Sequence, residues 1–218
     1  SVDPSYLSVI PEGGLCSEPK SALSFKELQK KFHLSEQFAF FIGTIEPRKN
    51  LVRLVRAFDD FVEKEKKRIG DFQFVIAGKK GWKYEDVFHA IATAKSGHRI
   101  RYVQYVTDEE KVALLKSAMM FVFPSLGEGF GLPVLEAMQC GTSVLTSKIS
   151  ALQEVVGDAA VLVDPRSVRS ITQGLRELFF NSRVRRELSV RARSRARAFS
   201  WERTAKEVLR VYQVLLLS

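Results

Sequence analysis

Five residues in a row, Phe38-Ala39-Phe40-Phe41-Ile42, carry no polar side chain and show no alternation. A strand with one face in water alternates apolar and polar residues, so a short continuous run must be covered on both faces. Such strands belong inside a parallel sheet, and the pattern returns along the chain. Strands are predicted at Tyr6–Ile10, Phe38–Gly43, Phe72–Ala77, Ile100–Val103, Met120–Phe123, Ser143–Thr146 and Ala160–Val163. Helical patterns fill the intervals at Ser24–Phe32, Leu51–Arg68, Trp82–Lys95, Asp108–Ser117, Pro133–Cys140 and Val168–Phe179, with two more at Ser182–Ala198 and Trp201–Leu217. Ser24-x-x-Glu27 and Thr107-x-x-Glu110 have the form of capping boxes. This alternation predicts an α/β fold: a Rossmann-like, doubly wound parallel sheet with helices on both faces. No internal repeat or low-complexity linker divides the 218 residues, so 1–218 are expected to form one domain, closed by C-terminal helices over 182–217.

In a sheet of this kind ligands bind outside the carboxyl ends of the strands. Polar and glycine-rich loops fall there: Gly43-Thr44-Ile45-Glu46-Pro47-Arg48-Lys49-Asn50, Gly78-Lys79-Lys80-Gly81-Trp82, Tyr105-Val106-Thr107-Asp108 and Pro124-Ser125-Leu126-Gly127-Glu128. Arg48 offers a bidentate fork and Lys49 a point charge to a phosphate. Glu46 reads as a charge favoured by a helix N-terminus.

The last loop runs into Glu128-Gly129-Phe130-Gly131-Leu132-Pro133-Val134-Leu135-Glu136, two glutamates with seven residues between them. Gly129 and Gly131 allow a tight turn and close approach to a ligand. Pro133 suits the first position of a helix. The amides of Phe130, Gly131 and Leu132 are then expected to leave a helix N-terminus, where the peptide dipoles favour an anion such as a diphosphate. Two carboxylates beside an anion site are electrostatically unfavourable, and sugar hydroxyls with a developing positive charge would give each of them a role.

Other chemistries find less support. Gly129-x-Gly131 is no dinucleotide fingerprint, because Val134 takes the third glycine's place and the pair comes late in the chain. No Walker A sequence occurs. His33, His89 and His98 stand on separate segments, so no metal site is expected. Cys16 and Cys140 are too few for a disulfide framework and fit a reducing cytoplasm. The net charge of +9 calls for an anionic partner, and much of it lies in Arg183, Arg185, Arg186, Arg191, Arg193, Arg195 and Arg197. That run reads as a solvated helix face, or else as a contact for acidic lipid headgroups. Aromatics do not interleave with the arginines, which speaks against nucleic acid.

The motifs together resemble the C-terminal, donor-binding domain of a GT-B fold glycosyltransferase of family 4, the retaining nucleotide-sugar transferases. The likeness starts at Ser8-Val9-Ile10-Pro11-Glu12-Gly13-Gly14 and continues through Gly43 to Asn50, Phe74 to Gly78 and Phe123 to Pro133. It closes with Glu136 to Thr142, Leu152 to Ala160 and Val163-Asp164-Pro165. The resemblance implies one half of a GT-B fold and transfer of a hexose from a nucleotide diphosphate sugar, with GDP-mannose the first expectation, to a glycan or lipid-linked acceptor in polysaccharide synthesis. It implies Glu128 beside the donor sugar as the catalytic carboxylate and Glu136 on the ribose hydroxyls. Arg48, Lys49 and the amides of Phe130, Gly131 and Leu132 would neutralise the diphosphate, with Gly43, Thr44 and Gly129 in the same loops. Val106 with its neighbouring backbone, and Lys111, would meet the base. No cofactor and no metal are implied, since Arg48 and Lys49 carry the charge that a metal would.

Two departures stand out. Many members of the family have an arginine after the first loop's glycine, where this chain has Thr44. The chain also has sequence for one Rossmann-like domain, so an N-terminal acceptor-binding domain is expected elsewhere and little transfer from this half alone. The expected place is the cytoplasm, with peripheral contact at the inner face of the cell membrane. The rival reading is a non-catalytic Rossmann-like module that docks its basic surface on acidic membrane or a partner subunit. An epimerase of the same fold is a minor third, and would need a second domain with acid–base groups of its own.

Overall fold

The computed structural model describes residues 7–14 and 23–217. Six strands form one parallel sheet: β1 (Phe38–Ile42), β2 (Gln73–Ala77), β3 (Ile100–Tyr102), β4 (Met120–Phe123), β5 (Val144–Ser147) and β6 (Ala160–Val163). Their order across the sheet is β3-β2-β1-β4-β5-β6. The chain therefore winds outward one way from β1 and reverses at β4, which puts the topological switch point between these two strands. Both are wholly apolar and almost wholly buried. The Phe41 and Phe123 rings stack across the pair with centroids 5.5 Å apart, and Phe40 meets Phe121 edge-on at 6.2 Å.

Helices cover both faces, as strands without a wet side require: α1 (Phe25–Phe32), α2 (Leu51–Glu65), α3 (Glu85–Thr93), α4 (Asp108–Ser117), α5 (Leu132–Cys140), α6 (Ser150–Val156), α7 (Val168–Phe180), α8 (Ser182–Ala196) and α9 (Trp201–Leu217). Both capping boxes form: the Ser24 and Thr107 hydroxyls accept the amides of Glu27 and Glu110, whose carboxylates accept the cap amides in return.

Three expectations fail. Tyr6 lies outside the described residues, and Leu7–Ile10 form no strand; Val9 is 90% exposed, which no place in this covered sheet would allow. The helix expected from Trp82 starts at Glu85, because Lys83 takes the left-handed conformation (φ 52°) and breaks the chain ahead of it. Helix α6 was not foreseen. It has seven residues, and its N-cap Ile149 offers no side-chain hydrogen bond to announce a start.

Candidate functional site

At the switch point two loops are cross-linked by hydrogen bonds. The segment after β1 closes in a single 3-10 turn, Pro47–Lys49, and ends at Asn50 in the left-handed conformation. The Asn50 amide group then reaches two carbonyls, Pro124 at 2.8 Å and Pro165 at 2.7 Å. The Ser125 hydroxyl and the Leu126 amide donate to the Arg48 carbonyl at 2.9 and 2.8 Å. A third loop presses in from β2. A Cβ on Gly78 would lie 1.9 Å from the Gly43 carbonyl oxygen, so only glycine permits this approach. The Ile45 amide donates to the Lys79 carbonyl at 2.9 Å and the Gly81 amide to the Ile45 carbonyl at 3.0 Å. Lys79 is exposed, and Lys80 lies over the Tyr84 and Phe88 rings.

Across the crevice stands Glu128, with a side chain only 8% exposed. Its two oxygens take different cations: Lys49 Nζ at 2.8 Å and Arg48 Nη1 at 2.7 Å. Burial raises the Glu128 carboxyl, but Lys49, the Ser125 hydroxyl and Arg48 together outweigh burial and hold it below the usual carboxylate range. Lys49 is itself buried, its ammonium 4.8 Å from the centroid of the Phe123 ring. Glu46 does stand at a helix N-terminus, as N-cap of the 3-10 turn, but caps no amide: its Oε1 accepts Arg48 Nη2 at 2.8 Å and Nε at 3.1 Å. The guanidinium is thus shared between two carboxylates, an arrangement that requires three loop residues and cannot be read from spacing.

Helix α5 begins beside Glu128. Gly131 caps it with φ 105°, and a Cβ there would meet Leu152 Cδ2 of α6 at 2.4 Å. Leu132 takes the first helical position and Pro133 the second, one later than expected. Among the described residues the amides of Phe130, Gly131 and Leu132 donate to no protein acceptor, while those of Val134 and Leu135 turn back to the Gly131 carbonyl. Three open amides at a helix start, beside a lysine and an arginine, make a cradle for an anion. Gly129 lies at a bend, as expected, with a backbone φ that does not itself demand glycine. A Cβ there would meet no atom within 4 Å, so any need for glycine must come from a ligand.

Glu136 sits on the second turn of α5 and is 8% exposed. Its Oε1 accepts Lys111 Nζ of α4 at 2.8 Å, and Lys111 also reaches Asp108 at 3.2 Å. Burial pulls the Lys111 ammonium down, and the Glu136 and Asp108 carboxylates more than reverse that, leaving it above the usual lysine range. Val106, just before α4, points its side chain into the core, so only its backbone can face a ligand; its neighbour Tyr105 is 80% exposed. Thr44 is half-buried, and a Cβ on Gly81 would meet its methyl group. Among the described residues no three His, Cys, Asp or Glu side chains cluster as metal ligands.

Arg183, Arg186, Arg191, Arg193 and Arg197 are exposed, as a solvated helix face requires, while Arg185 and Arg195 are half-buried and reach neighbouring helices. Arg185 donates to the carbonyls of Leu178 and Phe179 at the end of α7, and Arg195 to those of Glu154 and Val155 at the end of α6. Arg193 approaches the Cys140 carbonyl at 3.5 Å while the Ser189 hydroxyl takes that of Gly141 at 2.6 Å, closing α5. Arg183 pairs with Glu187, and Arg191 with Asp158. Cations at helix C-termini meet orphan carbonyls and the negative end of the dipole.

A six-stranded parallel sheet in this order, with cations and open amides at its switch point, defines the doubly wound α/β class with a polar crevice at the carboxyl edge. Residues 24–196 match the family described as "Glycosyl transferases group 1", and the chain belongs to it. The O-antigen chain mannosyltransferase B of Escherichia coli is 34% identical over 198 residues, covering 90% of this chain and 51% of that protein. A D-inositol 3-phosphate glycosyltransferase of Salinispora tropica is 33% identical over 79% of this chain and 37% of its own length. The sucrose-phosphate synthase of Thermosynechococcus elongatus superposes with a TM-score of 0.75 at 25% identity, over 88% of this chain and 49% of that one. WaaG, a glycosyltransferase involved in lipopolysaccharide biosynthesis, is 18% identical with a TM-score of 0.74, which shows the shared fold. The chain thus spans about half or less of the length of these curated relatives. Its fold is one Rossmann-like half of a GT-B enzyme.

Proposed function

We propose that this chain forms the donor-binding half of a retaining hexosyltransferase, which moves mannose from GDP-mannose to a glycan or lipid-linked acceptor in surface polysaccharide synthesis. The observation that carries it is the convergence of Arg48, Lys49 and Glu128 on one another beside the open amides of Phe130 to Leu132. The choice of mannose follows the relatives, several of which are mannosyltransferases.

Without donor, Glu128 occupies both cations. A diphosphate is the stronger partner, with several oxygens for the Arg48 fork, the Lys49 ammonium and the amides. Its arrival would release Glu128 towards the sugar. When the anomeric C–O bond breaks, its electron pair stays on the departing phosphate oxygen, where Arg48, Lys49 and the α5 N-terminus stabilise it. The sugar left behind is oxocarbenium-like, and the Glu128 carboxylate is the group placed to stabilise that charge. The acceptor oxygen then bonds to the anomeric carbon and its proton passes to the departing phosphate. Glu136 would hold the ribose hydroxyls, and the backbone near Val106 the base. A second, acceptor-binding domain would complete the site, at the cytoplasmic face where such donors occur.

Calorimetric titration of this chain with GDP, UDP and ADP, and then with the matching sugars, tests the reading. Saturable binding of one nucleotide, weakened by Glu136→Ala, supports it, and binding of GDP alone supports the mannose assignment. Silence with all three in the full-length protein would overturn it. In that protein Glu128→Gln should abolish transfer while nucleotide binding persists; unchanged turnover would remove Glu128 from catalysis.

A further inference from the structure

The turn between the two glutamates is held from behind by a residue of another element. Phe130 carries the first of the open amides, and its ring packs edge-on against Phe199, centroids 5.8 Å apart at 69°. Phe199 is half-buried just past α8, its amide bonded to the Ala196 carbonyl at 3.1 Å. The Arg195 guanidinium carbon lies 5.8 Å from the Phe199 centroid, and the same group caps α6 through the carbonyls of Val155 and Glu154. Helix α6 in turn sets Leu152 under Gly131, close enough that a Cβ there would collide with it. The turn 130–132 is therefore braced twice from one end of α8, by Phe199 directly and by Arg195 through Leu152.

We infer that Phe199 is a positioning residue for the donor diphosphate: it fixes Phe130 so that the amides of Phe130, Gly131 and Leu132 point together into the crevice. This rests on the donor-binding reading of the site. Three amides form an anion cradle only while they stay aligned; the Gly131 carbonyl, held by the Val134 and Leu135 amides, fixes the peptide plane of Leu132, but among the described residues no hydrogen bond fixes those of Phe130 and Gly131. An aromatic pair of this geometry supplies directional packing where hydrogen bonds are missing. The ring contacts of Phe199 among the described residues are with Phe130 and Arg195, neither of them assigned to the base or ribose, so its effect should fall on the phosphates.

The experiment compares wild type, Phe199→Ala and Phe199→Tyr by backbone amide NMR relaxation, and by titration with GDP and UDP against guanosine and uridine. Phe199→Ala should lower the amide order parameters at 130–132 while those at 138–141, closed by Ser189 and Arg193, stay as high as before. It should weaken the bound nucleoside diphosphate roughly tenfold, equivalent to about 1.4 kcal/mol, and leave the nucleoside within twofold. Phe199→Tyr, which keeps the ring, should restore both. Unchanged order parameters at 130–132, or equal losses for diphosphate and nucleoside, would overturn the inference in favour of general loosening. Should wild type bind no nucleotide, the donor reading fails, and the relaxation arm still decides whether Phe199 holds the turn.

Discussion

The ion pairs at single residues decide how this site responds to pH. Glu128 has a depressed carboxyl, so its contribution to stability is fully present above the unfolded carboxylate range, near about pH 4.3. It is lost only as pH falls through the lower folded value. Nucleotide binding to the free chain should accordingly show no acid limb from Glu128 between about pH 5 and 7, by the order of magnitude of that reference value. Lys49→Met removes the cation that counters burial, leaving desolvation to push the carboxyl upward. In that variant the Glu128 carboxyl resonance, followed by carbon NMR, should titrate at higher pH than in wild type. A midpoint that does not move would mean that Arg48 alone holds the charge. Gly129 and Gly78 separate ligand from fold at the same scale. Gly78→Ala drives a Cβ into the Gly43 carbonyl and should destabilise by roughly 3 kcal/mol, whereas Gly129→Ala meets open space and should leave the melting temperature unchanged. A loss of nucleotide affinity in Gly129→Ala without loss of stability would place the ligand directly over that residue.

At the scale of elements, α8 acts as a bracket across the C-terminal ends of α5, α6 and α7. Its arginines end three helices, so their removal should be felt as lost caps. Arg195→Ala is expected to destabilise the chain by about 1 kcal/mol in chemical denaturation, since two backbone carbonyls lose a cationic donor. Arg183→Ala, whose partner among the described residues is the exposed Glu187, should fall within about 0.5 kcal/mol of wild type. Equal effects would return the run to a plain surface stripe. The contrast also shows what a sequence can and cannot disclose. Period and burial made β1 to β6, both capping boxes and the α5 start legible, because each depends on neighbours within a few positions. Glu128 and Glu136 were legible through their fixed spacing around a glycine turn. The Arg48–Glu46–Glu128 sharing and the α8 caps were not, because residues some 80 and 40 positions apart meet only once the sheet order is set. Helix α6 lacked any local signal, and the strand expected at Leu7–Ile10 had the right composition without a neighbour to pair with.

At the scale of the whole molecule, the doubly wound sheet leaves one polar crevice with a wall on one side and a helix, α9, that the domain does not fully use. Leu209, Tyr212, Val214 and Leu216 of α9 are all more than half exposed. No helix of the described residues is long and apolar enough to cross a membrane, so that face is not a span. Binding at the crevice should nonetheless be visible in the fold as a unit, since the cradle ties together loops from β1, β2 and β4 and the start of α5. A nucleotide at one hundred times its dissociation constant stabilises a folded chain by about 2.7 kcal/mol. For a domain of this size that amounts to a rise in melting temperature of roughly 5–11 °C. The rise should be the same with a chelator present, because Arg48, Lys49 and the amides are assigned the charge that a metal would otherwise neutralise. A rise that the chelator removes would transfer that role to a cation, and no rise with any nucleotide would deny the crevice its donor.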